Sequence, residues 1–139
     1  MTTDQTATGT ATDNVTTLRA GYAAFAAGDV PVVLGMMHPD VEWTEAAGGI
    51  YGGTYRGPDA VVEGVFARLG SEWSEFRVEP EEFVASGDTV AVLGTYRGTY
   101  GVTGTSVEAR FVHVWHFREG RAARFEQVAD TAMLNAALP

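Results

Sequence analysis

The chain has no cysteine, only nine basic residues, all of them arginine, five prolines and no long apolar run. Each shortage removes a class of function. Without cysteine there is no disulfide framework, no thiolate nucleophile and no Cys-ligated zinc, so the fold must stand on packing alone and a reducing, cytoplasmic location is expected. Nine basic residues against 18 acidic ones leave a formal charge of -9. That balance disfavours attraction to phosphate backbones or anionic lipid, so neither nucleic acid nor membrane is an expected partner. No window approaches the roughly 18 consecutive apolar residues of a membrane span. Met1 to Asp13 holds six threonines and no large apolar residue beyond Met1. It lacks the basic and apolar regions of a secretory signal, and residues 1–13 are expected to be a disordered tail.

What is present is enough for one core: 139 residues, 45% of them hydrophobic. A single domain over 14–139 is expected. Val15, Leu18, Tyr22, Phe25 and Ala26 recur at helical spacing up to Gly28-Asp29. Val30 to Met37 predicts a short second helix, with His38-Pro39-Asp40 as the turn that stops it. Val41, Trp43 and Glu45 alternate with Glu42 and Thr44 as in a strand, and the glycines from Gly48 to Gly53 imply a loop. Gly57-Pro58-Asp59 opens a third helix whose buried side is Val61, Val62, Val65, Phe66 and Leu69. Phe76–Ala85, Thr89–Tyr100, Val107–Arg118 and Arg121–Ala129 then predict four antiparallel strands joined by hairpin turns. Asp130 is placed to cap a last helical turn.

Helices followed by strands argue for an α+β fold, with three helices in the first half packed on a curved antiparallel sheet. Such a sheet is a cone with a concave apolar interior. Strand alternation places Phe111, His113, Trp115 and Phe117 on one face. Phe125 and Gln127 share it across the Gly120 turn, with His113 and Gln127 each seven residues from that glycine. Val41, Trp43 and Glu45 point inward together, and the charge on Arg97 assigns its row to the outside, which puts Tyr96 in the lining.

The order helix, helix, strand, helix, four strands, with Ala27-Gly28-Asp29, Asp40 to Glu45, Tyr55 to Val61 and His113 to Arg121, resembles the NTF2-like superfamily. More narrowly, it is similar to SnoaL-like and ketosteroid isomerase-related proteins over nearly all of Asn14 to Leu138. The resemblance implies the cone fold, a homodimer, and a role for Glu45 where ketosteroid isomerases have their general-base aspartate. It sets His113 near their oxyanion-stabilising acid. The oxyanion tyrosine of those enzymes falls on Gly21, one short of Tyr22. The catalytic aspartate of SnoaL-like cyclases and limonene epoxide hydrolases falls on Gln127, which cannot take a proton as a carboxylate does.

Glu45 beside Trp43 in an apolar pocket is expected to have a raised pKa, as suits a proton-transfer base. His113, alone or with Gln127, can donate to an oxygen where negative charge develops. The expected function is acid/base catalysis without metal or cofactor on a hydrophobic carbonyl compound, as isomerase, cyclase or dehydratase. Its substrate contacts are expected from Trp43, Tyr96, Phe111, Trp115, Phe125 and Gln127, with Tyr22, Tyr51 and Tyr55 beside them. The alternative is a non-catalytic binding or assembly module of the same class. Each residue also has a structural reading: Glu45 paired with Arg56, His113 a satisfied core histidine, Gln127 holding its tautomer, Tyr22 packing, and the aromatic residues forming core. Tyr51 and Tyr55 could be a lid over the pocket mouth. His113 and His116 differ by three on a strand and face opposite ways, which gives no metal-ligand set.

Overall fold

The computed structural model of the chain describes residues 2–139. Helix α1 spans Thr2–Ala26. Residues 2–13 of the expected tail fall within the bounds of this helix. The packed part of α1 begins at Asn14: it buries Asn14, Leu18 and then Gly21 and Tyr22, at helical spacing, against the sheet. Gly28, at a positive φ of 75°, turns the chain, and the Asp29 side chain accepts from the Val32 amide to start α2, Val30–Gly35.

Strand β1 runs Met37–Glu45. It starts earlier than expected, so His38, Pro39 and Asp40 lie within the strand and His38 is not in a turn; the Ala122 amide of the adjoining strand donates to the Met36 carbonyl at 2.8 Å and anchors that end. Strand β2, Gly53–Arg56, forms inside the stretch expected to be loop and pairs with β1. The third helix is α3, Pro58–Val61, a π-helical turn, Val62–Phe66, and α4, Ala67–Glu72. Strands β3, Trp73–Ser86, β4, Thr89–Tyr100, β5, Ser106–Arg118, and β6, Arg121–Ala129, follow, and α5, Thr131–Asn135, closes the chain. Asp130 caps α5 as expected, accepting from the Met133 amide at 3.1 Å.

The six strands form one curved sheet in the order β2-β1-β6-β5-β4-β3. The β3 to β6 pairings are antiparallel, whereas β1 lies parallel to β6, so the sheet is mixed where a fully antiparallel one was expected. The glycine-rich loop, β2 and the third helix separate β1 from β3, and this length lets β1 join the far edge of the later hairpins. On β5 the buried residues are Ala109, Phe111, His113, Trp115 and Phe117, every second position. On β4 they include Val90, Val92 and Tyr96, and Arg97 points outward as its charge requires. Among the described residues, no helix is long and apolar enough to cross a membrane.

Candidate active site

Between the concave sheet and the helices lies a cavity of about 80 Å³. Its wall is aromatic: all three tryptophans, Trp43, Trp73 and Trp115, contribute to it. Trp43 stacks on Phe125 with ring centroids 3.8 Å apart, and Phe66 from the π-helical turn meets Trp43 edge-on at 5.5 Å. At one end polar groups from four elements converge: Tyr22 from α1, Glu45 from β1, Tyr96 from β4 and His113 from β5, with Gln127 of β6 beside them.

Glu45 is two residues from Trp43 on the same strand face, and the Trp43 indole Nε1 donates to Glu45 Oε2 at 2.8 Å. Only 6% of Glu45 is exposed. Burial raises its carboxyl from 4.5 to about 7, against the tryptophan hydrogen bond, which favours the charged form. The pairing with Arg56 does not form, because Arg56 faces the other way and binds Glu42 at 2.8 Å.

His113 is held on both ring nitrogens. Nδ1 bonds the Tyr22 hydroxyl at 2.7 Å and Nε2 bonds the Tyr96 hydroxyl. Beyond them, Trp115 Nε1 donates to the Tyr22 oxygen at 3.0 Å and Gln127 Nε2 donates to the Tyr96 oxygen at 2.9 Å. The Gln127 amide is oriented by Ala46, whose backbone N–H donates to Oε1 at 3.0 Å. Gln127 thus stands directly opposite His113 in the β5–β6 register but reaches it through Tyr96. Burial holds the imidazole neutral, pulling His113 down to about 3. Burial also lifts both phenols above their ordinary range, and the charge on Glu45 adds to this at Tyr96.

Two expected lining residues stand elsewhere. Phe111 lies beneath His113, stacked at 4.0 Å, behind the cavity wall; it crosses Gly94, where a Cβ would fall 2.4 Å from the Phe111 ring. Tyr55 is outside the lining, with its hydroxyl donating to the Tyr51 carbonyl at 2.6 Å and its ring against Gly64. Tyr51 does line the cavity. Its hydroxyl donates to Glu72 at 2.8 Å and accepts from Trp73 at 3.1 Å, and Arg68 lies over its ring. These bonds fasten the glycine-rich loop to α4 and β3.

Tyr22, expected beside the substrate contacts with packing as its structural reading, lines the cavity and carries a hydroxyl of the polar cluster. Periodicity shows that a residue faces the core and is silent on where its polar tip ends. Trp73 was missed because α4 passes directly into β3 ahead of the predicted strand. Gly21 carried a readable signal: glycine within a helix is costly, and here a Cβ would lie 2.5 Å from the Met36 sulfur, so the residue marks a close approach at the cavity wall.

The family model of the SnoaL-like domain matches residues 18–125, a span from the α1 stripe through Phe125. The chain belongs to the SnoaL-like family. Solved NTF2-like proteins agree with this SnoaL-like assignment. One from Burkholderia thailandensis is 38% identical, with 91% of this chain and 97% of that one covered at a TM-score of 0.87. One of unknown function from Burkholderia pseudomallei is 40% identical, with the same coverages and a TM-score of 0.84. TerC, crystallised with polyporic acid, is 34% identical over 90% of this SnoaL-like chain and 97% of its own, at a TM-score of 0.82. Among proteins with curated descriptions, none matches the chain.

Proposed function

We propose that this SnoaL-like protein is an enzyme that moves a proton on a hydrophobic carbonyl compound without metal or cofactor, in an isomerisation, cyclisation or dehydration. One observation carries the reading: a buried carboxylate, with one oxygen tied to Trp43 and a pKa raised to about 7, faces the same cavity as a cluster of phenolic hydroxyls. A base works best when its pKa lies near the working pH. Glu45 takes the proton from the carbon beside the carbonyl. As it leaves, charge develops on the carbonyl oxygen, and a preorganised hydroxyl in the aromatic-walled cavity stabilises it. His113 acts through Tyr22 and Tyr96, as a positioning residue, because both its nitrogens are engaged. The aromatic wall supplies binding, and the co-crystal of TerC with polyporic acid supports a small-molecule guest.

The test needs no knowledge of the natural substrate. 2-Tetralone is an apolar ketone with acidic α-protons, and their exchange with D2O is followed by NMR. The protein is expected to accelerate exchange, and Glu45→Gln to return it to the buffer rate with an unchanged circular dichroism spectrum. Undiminished exchange in that variant would falsify the assignment of the base. Saturable binding of 2-tetralone with no acceleration in the wild type would favour the binding-module reading.

We also propose that the convex face pairs with a second copy. Its outward residues Leu93, Val112 and Val128 are register neighbours across β4, β5 and β6 and form an apolar row, with Val128 60% exposed. Arginines and glutamates of both signs border it, which suits a self-complementary contact. Sedimentation should give a dimer that Val128→Asp dissociates; a wild-type monomer at all concentrations rules this out.

A further inference from the structure

The cluster around His113 contains one proton more than its internal hydrogen bonds use. Trp115 has only a donor to offer, and Ala46 fixes Gln127 so that its NH2 faces Tyr96. Each tyrosine oxygen therefore already accepts one N–H from outside. Between the two hydroxyls stands one neutral imidazole, with one N–H and one lone pair. The tyrosine beside the lone pair donates to it and keeps one lone pair open. The tyrosine beside the N–H accepts a second hydrogen bond, so its own proton is left over. Among the described residues neither hydroxyl has any partner beyond those named, and both tyrosines line the cavity. The cavity thus presents one donor and one acceptor on either side of an imidazole. Switching the tautomer of His113 exchanges them.

We propose that Tyr22, His113 and Tyr96 form a tautomeric relay, and that the ligand it fits is a neutral, enolised 1,3-dicarbonyl compound, whose conjugated edge also carries one carbonyl acceptor and one hydroxyl donor. This rests on the reading of the cavity as a site for carbonyl compounds and names the class. The ligand hydroxyl gives its proton to one tyrosine, that tyrosine gives its own to the imidazole, the opposite ring nitrogen gives its proton to the second tyrosine, and the second tyrosine protonates the ligand carbonyl. The π electrons shift along the O=C–C=C–OH path, so the former carbonyl becomes the enol and the former enol the carbonyl. No atom, electron or net charge is gained, and no co-reactant is needed. In the diketo tautomer the carbon between the two carbonyl groups is the acidic one, the kind of atom on which Glu45 would act.

Three neutral six-membered rings test this. 3-Aminocyclohex-2-enone has a donor and an acceptor in the 1,3 relation, 3-methoxycyclohex-2-enone has two acceptors, and cyclohex-2-enone has one. Calorimetry measures affinity, the indole NMR signals of the three tryptophans show entry into the cavity, and 15N NMR reads the His113 ring. The amino compound should bind about tenfold tighter than the methoxy compound, since the latter leaves a buried acceptor unpaired. Its binding should shift both ring nitrogens of His113. Tyr22→Phe and Tyr96→Phe should each bring the affinity ratio close to one, because a single remaining tyrosine can serve either ligand. If one variant fails to fold, the other and the wild-type nitrogen shifts decide. A ratio unchanged in the Phe variants, an unshifted His113, or cyclohex-2-enone binding as tightly as the amino compound overturns the relay and leaves the carbonyl site standing. Failure of all three rings to perturb any tryptophan overturns both.

Discussion

Strands β4 and β5 carry two kinds of polar chemistry on their two faces, one residue apart. On the concave face Tyr96 and His113 are buried and bonded to each other. On the convex face Arg97 lies between Glu79 and Glu108, and Arg110 reaches Glu81 and Thr95. The outer groups remain largely in water, so each pair exchanges hydration for contact with little net gain. The inner groups are buried, and a missing partner there leaves an unpaired polar atom. Within the cavity Glu45 differs from His113 in turn. The imidazole has both nitrogens engaged and stays neutral, while the carboxyl has one hydrogen bond and titrates near neutrality. Burial disfavours the charged form of both, which keeps the imidazole neutral and brings the carboxyl toward neutrality.

The sharpest way to break the comparison is His113→Leu, which keeps volume and removes both ring nitrogens. Two buried phenols lose their partner, and the urea midpoint should report a loss of about 2–5 kcal/mol. A loss below about 1 kcal/mol would show that the inner network is no stronger than the surface pairs.

Next in size is Glu45→Gln read against pH. The folded pKa of about 7 lies above the value of 4.5, so the folded state holds the proton more tightly. The contribution of Glu45 is fully present below pH 4.5, is lost as pH rises to about 7, and is absent above. The shift corresponds to about 3 kcal/mol. Glu45→Gln should therefore be the more stable protein at pH 8 by up to that amount, with the advantage shrinking at pH 5. Equal differences at both pH values would mean that the carboxyl is not desolvated. His113 gives the opposite slope: with its pKa lowered from 6.5 to about 3, stability falls as pH drops through that interval, because the unfolded chain takes up a proton that the folded one refuses. The two slopes oppose each other between pH 4.5 and 6.5, so the wild type should change less there than Glu45→Gln, whose stability falls more steeply on acidification.

Tyr51→Phe probes the fastening of the glycine-rich loop. Losing the bonds to Glu72 and Trp73 should cost about 1 kcal/mol and speed ligand association in stopped flow. An unchanged association rate would show that the loop does not limit entry. The smallest effect belongs to the convex face. Arg110→Ala should change monomer stability by about 0.5 kcal/mol or less, an effect that 0.5 M salt largely removes. A change as large as that of His113→Leu would erase the distinction between the faces.

Much of the fold was legible because alternation and helical spacing follow from backbone geometry alone. Strands β4 and β6 have the predicted bounds, and the placement of Phe111, His113 and Trp115 on one buried face required only parity. Glu45 could be placed in the lining for the same reason. The parallel pairing of β1 with β6 was not legible, since nothing local distinguishes a parallel from an antiparallel neighbour. Phe111 had the right face and the wrong depth, because a side chain can point inward and still be covered by the next layer. Tyr55 was read with Tyr51 as a lid over the mouth, yet in β2 its hydroxyl binds the Tyr51 carbonyl and it stays out of the lining.

Composition and pattern alone determined that this chain builds helices over a curved sheet, and that an acid and an imidazole lie on its inner side. Those are properties of period and polarity, carried by neighbours along the chain. That Tyr22 reaches one nitrogen of His113 while Tyr96 reaches the other was decided only in three dimensions. Those contacts join residues 91 and 17 positions apart, and hydrogen bonds act over a few ångströms of space, whatever the distance along the sequence.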